Sequence, residues 1–303
     1  MNRSQKDKIH KQVGEFWNKQ TSNYMGKRTR WWQSPYVIEH YNFRVSGKKL
    51  PGWNDGPIEL LKQQSDNQVF KKAISIGCGT GFKEMNLIEK GIVETFVCYE
   101  LSNNEIAIGQ KLAEKKGISE KIKFQLGDFF ESNDNCPETY DLVFWDNSLH
   151  HMLDTREAIK ISKEILKEKG YFFCNDYVGK NRFQWLDSEL ALINGIRLNL
   201  PEELFVVEGM RKIDRFVGKP SLENMIRDDP SEAADSENII PGIYETFGSP
   251  VIINTGGVIY HTCLNDILQN IPERSEMLEY LLNIDDEITD HGYTQYAFIL
   301  AQK

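Results

Sequence analysis

The sequence has no run of about 18 uncharged apolar residues, so no membrane-spanning helix is expected. Its cysteines, Cys78, Cys98, Cys136, Cys174 and Cys263, form no Cys-x-x-Cys pair. Cys98 and Cys174 sit in apolar, strand-like runs and read as reduced core residues of a cytoplasmic protein. Positive charge is in deficit: the net charge is −9. That disfavours nucleic acid or an anionic membrane as partner, since both need an electropositive face. Internal repeats and low-complexity tracts are absent. Residues 1–11 are polar and basic with no apolar stretch behind them, which predicts no secretory signal. His150 and His151 are adjacent, and on a helix their side chains would point about 100° apart. No metal site is therefore expected.

What is present changes character along the chain. Residues 1–68 are rich in aromatics, including Phe16, Trp17, Trp31, Trp32, Tyr36, Tyr41 and Trp53. Lys27, Arg28 and Arg30 make a local basic patch that reads as a solvated helix face. Helices are expected over residues 4–18 and 58–64, with another starting at Ser34-Pro35, an N-cap followed by a first-turn proline. Residues 69–177 alternate strands (73–76, 95–99, 122–126, 141–145, 170–174) with helices (83–89, 104–116, 156–168). That alternation predicts a parallel, doubly wound sheet. Residues 178–247 lack a strong strand and read as a substrate cap inserted between strands 5 and 6. They hold a helix at 184–199 and the turn Asp229-Pro230-Ser231-Glu232, with Ser231 as a helix cap. Residues 248–303 supply strands 251–254 and 295–301, with helices at 262–269 and 273–282, and complete the sheet. The expectation is an α/β, Rossmann-like, seven-stranded fold with a helical N-terminal cap.

The sharpest signal is Ile76-Gly77-Cys78-Gly79-Thr80-Gly81. A strand turning through glycines lets the backbone approach a ligand closely. In open α/β sheets the ligand crevice lies beyond the carboxyl ends of the strands. Glu100 ends the next strand, where a carboxylate can accept both hydroxyls of a ribose, and Leu101 follows it. Asp128 follows the third strand with Phe129 beside it, placed to stack on a base, and Asn147 follows the fourth. The dinucleotide fingerprint wants a small residue where Phe82 stands. The loop therefore fits S-adenosylmethionine better than a nicotinamide cofactor.

These residues resemble class I S-adenosylmethionine-dependent methyltransferases across residues 69–177. Ile76 to Gly81 matches their first motif, Glu100 their acidic second-strand residue, and Gly127-Asp128-Phe129 their adenine-site motif. Asn147-Ser148-Leu149-His150-His151 looks like the segment after their fourth strand. Lys169-Gly170 stands where they usually have proline-glycine. The tail, with Asp176-Tyr177-Val178-Gly179, Arg182-Phe183-Gln184-Trp185 and Asp229-Pro230-Ser231-Glu232-Ala233, is similar to a bacterial small-molecule and natural-product subset.

The resemblance implies methyl transfer to oxygen, nitrogen or sulfur of a small metabolite by in-line displacement. An RNA or protein methyltransferase and a non-catalytic S-adenosylmethionine-binding protein are the alternatives. His151, His150 and Tyr177 are the candidate bases or orienters. Trp31, Trp32 and Tyr36 are candidate acceptor contacts as a lid, with Asp176, Arg182 and Trp185 from the far side of the cleft. Arg182 suits an acceptor carboxylate or phosphate. Oligomeric state is open, with a homodimer among the options.

Overall fold

The computed structural model describes residues 3–20, 30–132, 134–207 and 211–303. Lys27 and Arg28 of the expected basic patch lie outside the described residues. Seven strands form one sheet: β1 (Phe70–Ile76), β2 (Val93–Glu100), β3 (Ile122–Leu126), β4 (Tyr140–Asp146), β5 (Leu166–Tyr177), β8 (Val251–Gly256) and β9 (Tyr296–Gln302). A two-residue hairpin, β6 (Val206–Val207) with β7 (Arg211–Lys212), stands apart. The sheet order is β3-β2-β1-β4-β5-β9-β8. The first five strands are parallel, and β9 runs antiparallel to both β5 and β8. The order reverses between β1 and β4, and such a switch point opens a crevice at the strand carboxyl ends.

The central strands are near-continuous apolar runs because helices cover both faces. One face packs under α2 (Pro35–Ser46), α3 (Asp55–Gln64), α4 (Phe82–Glu89) and α5 (Asn103–Lys115), joining Leu61, Met85 and Ala113 to Phe96, Phe144 and Phe173. The other packs under α6 (Thr155–Ile165) and α9 (Ile239–Thr246), through Ile159, Ile239 and Ile243 on Val143, Phe172 and Ile299. A third apolar cluster joins the N-terminal segment, the inserted segment and the C-terminal segment. It gathers Trp31, Val37, Ile193 of α7 (Asp187–Asn199), the turn Val258–Cys263 and Leu281 of α10 (Glu276–Asp290). Ser34 caps α2 as expected, its hydroxyl accepting from Val37 N, with Pro35 in the first turn.

Three boundaries depart from the sequence reading. α6 stops at Ile165, because Leu166 is buried and pairs with Tyr140 as the start of β5. The expected helix over 262–269 is a π-helical turn, Val258–Cys263, followed by a separate 3-10 turn, Leu268–Asn270. Asp285 of α10 accepts from Gly257 N and Ile259 N and fixes that turn. Ser231 caps no helix: α8 (Leu222–Asp228) precedes it, and its hydroxyl bonds Asp229. Among the described residues no helix is long and apolar enough to cross a membrane.

Candidate functional site

β1 ends at Ile76, and the chain turns through Gly77, Gly79 and Gly81, all with left-handed φ of 56–70°. The three glycines do different work. A Cβ on Gly77 would lie 2.8 Å from Ser148 Cβ, and one on Gly81 2.8 Å from the Phe124 ring. A Cβ on Gly79 would meet nothing nearer than Glu105 Oε2 at 3.9 Å. Gly77 and Gly81 thus admit neighbouring protein, whereas Gly79 turns bare backbone toward open space. That is the cradle a ligand backbone or sugar needs.

Glu100 closes this cradle. Its carboxylate accepts from Gly79 N (2.8 Å), Leu101 N (2.8 Å) and Ser102 N (2.9 Å). Burial raises its pKa while these donors oppose the rise. A carboxylate offers about four acceptor positions, so both ribose hydroxyls would fit on Glu100 only if one shares or displaces the Gly79 bond. One position is open while the Gly79 bond holds. Asp128 accepts from Phe130 N (3.0 Å), and its second oxygen lies 3.7 Å from His10 Nε2. Phe129 does not present a ring to a base: it is fully buried, edge-on to Tyr99 at 5.3 Å. Cys78 keeps its sulfur on the loop, 3.3 Å from Gly79 O. Asn147 has φ 55° and donates to Asp146 Oδ1 (2.8 Å), holding the turn after β4.

The helix α1 (Arg3–Gln20) lies across these loop ends. A Cβ on Gly14 would come within 2.8 Å of Leu101 O, so only glycine lets the helix sit this close. Asn18 Oδ1 accepts from Ser102 Oγ (2.8 Å) and Asn104 N (3.2 Å). On its other side Gln12 donates to Arg227 O (2.5 Å), and Trp17 meets His151 edge-on at 5.5 Å. One helix therefore touches the β2 end, the β3 end, the cap and the histidine pair.

The histidine pair sits in a 3-10 turn, Leu149–His151, that the buried Asp176 carboxylate organises. Asp176 accepts from Ser148 N (3.0 Å), Leu149 N (2.7 Å), Tyr177 N (2.7 Å) and, through a very close contact, His150 Nδ1. His150 Nε2 lies 3.4 Å from Glu232 Oε1. Burial disfavours a charged His150 ring, but Asp176 and Glu232 overcome this and raise its pKa to about 10. Burial and the neighbouring His150 charge lower that of His151. His151 Nδ1 meets Ser231 Oγ (2.9 Å), and Ser231 donates to Asp229 Oδ1 (2.6 Å). His151 Nδ1 therefore carries the proton, which leaves the Nε2 lone pair unused by that chain of bonds. The rings stand 4.2 Å apart at 38°. The expected divergence of the two side chains fails because a 3-10 turn replaces the helix. One nitrogen from each ring and an oxygen of Glu232 lie within 4.8 Å of one another.

Several expected acceptor contacts are structural instead. Asp176 is the anchor just described and has no surface exposed. Tyr177 is buried and donates to Lys180 O (3.1 Å), so its hydroxyl closes a local turn. Arg182 donates to Glu232 O (3.0 Å) and Pro230 O (2.6 Å), which holds the Glu232 loop and uses the group meant for an acceptor anion. Trp185 stacks on Phe183 at 5.8 Å. Trp31 is core: it packs on Trp53, Tyr260 and Tyr296 at 5.0–5.5 Å. Tyr36 lies under the Arg274 guanidinium, while Trp32 meets Trp31 edge-on.

Sequence reasoning missed Glu232 and Asp229 as site residues, although their turn was noted. It also missed His261, whose ring lies 6.4 Å from Tyr177 and whose pKa burial lowers to about 4. Asp146 was missed too. It draws in Trp53 Nε1 (3.3 Å), Lys83 Nζ (3.3 Å) and Asn175 Nδ2 (3.3 Å), tying the N-terminal segment to the β4 end. A carboxylate directly before Asn147 was the available signal.

A parallel sheet with a reversed last strand, a glycine cradle at the switch point and an acidic β2 end define the class I methyltransferase architecture. Residues 69–211 match the profile of a methyltransferase domain. A ubiquinone biosynthesis O-methyltransferase of Actinobacillus pleuropneumoniae is 27% identical over 133 residues, 41% of this chain and 56% of that protein. The chain thus spans little more than half of that relative's length. Geranyl diphosphate C-methyltransferase from Streptomyces coelicolor superposes with a TM-score of 0.54 at 12% identity, covering 97% of each chain. The [4+2]-cyclase SpnF gives the same TM-score, identity and coverage. Residues 69–211 thus carry a methyltransferase domain, and the chain has the fold of class I S-adenosylmethionine-dependent methyltransferases.

Proposed function

We propose that this chain binds S-adenosylmethionine and methylates oxygen, nitrogen or sulfur of a small molecule. The observation that carries the reading is the cradle: bare backbone at Gly79, with the Glu100 carboxylate bonded to it. Gly79, Glu100 and Asp128 would hold the nucleoside. The donor, when bound, supplies a methyl group already activated by its sulfonium. The chain's task is then alignment, which is worth several kcal/mol.

His150 is charged near neutral pH and cannot take a proton. His151 is neutral there, with Nδ1–H given to Ser231. Its Nε2 lone pair is the group that can receive a proton from a hydroxyl or ammonium acceptor. α1 covers the loop ends and His151, which helps exclude water.

Calorimetric titration with S-adenosylhomocysteine tests the cradle, and isotope-labelled donor with a metabolite extract tests transfer. Stoichiometric binding and a labelled small-molecule product are expected. A chain that binds no S-adenosylhomocysteine sinks the reading. A [4+2]-cyclase shares this fold, and a fold does not fix a function; the second reading is a chain that binds the cofactor without transferring its methyl group. Tight binding with no labelled product from any extract would favour it.

A further inference from the structure

We infer that His150, His151 and Glu232 form a binding site for one divalent first-row transition-metal ion. The inference deepens the methyltransferase reading and rests on it for its place in the reaction. The site itself is argued from the donors alone; with the ion bound, the His151 lone pair goes to the metal and no longer receives a proton from the acceptor.

The donor set is two imidazoles and a carboxylate, the chemistry that suits zinc, iron(II), cobalt and nickel. Three protein donors with positions left for water or an acceptor oxygen are typical of catalytic rather than structural sites. Donors around one such ion stand about 3.3 Å apart, from metal–ligand distances of about 2.0–2.1 Å. His150 Nε2 and Glu232 Oε1 already stand at 3.4 Å, and the whole set lies within 4.8 Å. A contraction of side chains closes the rest.

The orientation of the rings carries the inference further. A metal-binding histidine gives its other N–H to a carboxylate, which fixes the tautomer that offers a lone pair to the ion. Both rings are held that way. His150 Nδ1 is bonded to Asp176. His151 Nδ1 is bonded to Ser231, which donates to Asp229. Asp229 Oδ2 is buried with no hydrogen-bond partner, 3.8 Å from His151 Nδ1. Such a buried, unpartnered carboxylate oxygen marks a place for a water or an ion. Asp176, Asp229 and Glu232 bring three carboxylates together. Arg182, held on Glu232 O and Pro230 O, is the cationic side chain beside them. A divalent cation among these carboxylates supplies the positive charge that three acids and one arginine leave in deficit.

The test uses the full-length, untagged chain, stripped with EDTA and titrated with Co²⁺ alone. One equivalent with visible d–d absorption, displaced by Zn²⁺, is expected. Glu232→Gln, which keeps the side-chain shape, and His151→Ala should both abolish the absorption. Asp176→Asn should weaken Co²⁺ binding about 10–100-fold. Circular dichroism checks that each variant folds. Wild-type protein that takes up no stoichiometric Co²⁺, or uptake that survives both E232Q and H151A, overturns the site. S-adenosylhomocysteine titration in EDTA tests the cofactor reading separately. Loss of metal binding with intact cofactor binding therefore defeats only the metal site, and the reverse result defeats only the methyltransferase reading.

Discussion

Substituting alanine separately at Gly79 and Gly81 separates ligand space from protein packing within one loop. Both residues are left-handed, at φ 56° and 70°. An L residue there costs about 1–2 kcal/mol. At Gly79 nothing is added to that cost, since the nearest atom to the new methyl is Glu105 Oε2 at 3.9 Å. At Gly81 the methyl would stand 2.8 Å from Phe124 Cζ and 2.9 Å from Cε1. The ring must move, and overpacking of this kind adds about 1–3 kcal/mol. Urea denaturation without ligand should therefore show G79A losing about 1–2 kcal/mol and G81A about 2–5 kcal/mol. Affinity for S-adenosylhomocysteine should fall at least about tenfold in G79A, or 1.4 kcal/mol, because its methyl occupies the cradle. G79A binding as tightly as wild type would refute the placement of the ligand. Equal destabilisation of the two variants would refute the packing argument.

Glu84 is buried, accepts from Ser75 Oγ (2.6 Å), and has its pKa raised by burial to about 7. A carboxyl raised in the folded state contributes stability below its unfolded pKa and loses it as pH rises through the folded value. Glu84 alone should contribute a loss of about 3 kcal/mol between pH values near 4.5 and above about 8, so the wild-type minus Glu84→Gln difference in denaturation series should change by that amount across this window. Arg197 is fully buried, donating to Arg215 O (2.8 Å), Cys263 O (2.6 Å) and Asp214 O (2.6 Å), and pairing with Asp266 (2.9 Å). Arg197→Ala should cost about 3–5 kcal/mol of unfolding free energy; a loss under 1 kcal/mol, the scale of a surface pair, would contradict its role. Glu100→Ala should weaken S-adenosylhomocysteine binding by about 1–3 kcal/mol in calorimetry. It should also lower stability, since three backbone donors lose their acceptor.

The parts legible in the sequence are those set by local pattern. The strand Ile122–Leu126 was read to its exact ends, and Ser34-Pro35 announced α2. The glycine loop and Glu100 could be placed because strand order follows from the alternation of strands and helices. What failed depends on distant partners. Nothing in residues 262–269 reports that Asp285 takes the N–H groups of Gly257 and Ile259. Phe129 looks like a base-stacking residue until Tyr99 and Phe130 enclose it. Arg182 looks like an anion receptor until its two carbonyl acceptors, 48 and 50 residues away, are known.

The histidine pair shows how the fold turns such distant contacts into chemistry. Asp176 stands at the end of β5, and the turn it organises follows β4. Because β4 and β5 are hydrogen-bonded in register, with Asp146 opposite Asn175, the carboxylate is held one residue beyond that pairing. It binds two backbone N–H groups of the turn with one oxygen, and His150 Nδ1 and Tyr177 N with the other. A buried carboxylate with four donors is fully satisfied, so the His150 ring cannot swing without leaving a buried charge short of a partner. Glu232 reaches the same space from the cap, on a loop that Arg182 holds by its carbonyls. The geometry of His150 and Glu232 therefore rests on two anchors that need not touch an acceptor. Loss of either anchor should alter how the cluster binds a cation more than whether the chain folds around its cofactor cradle.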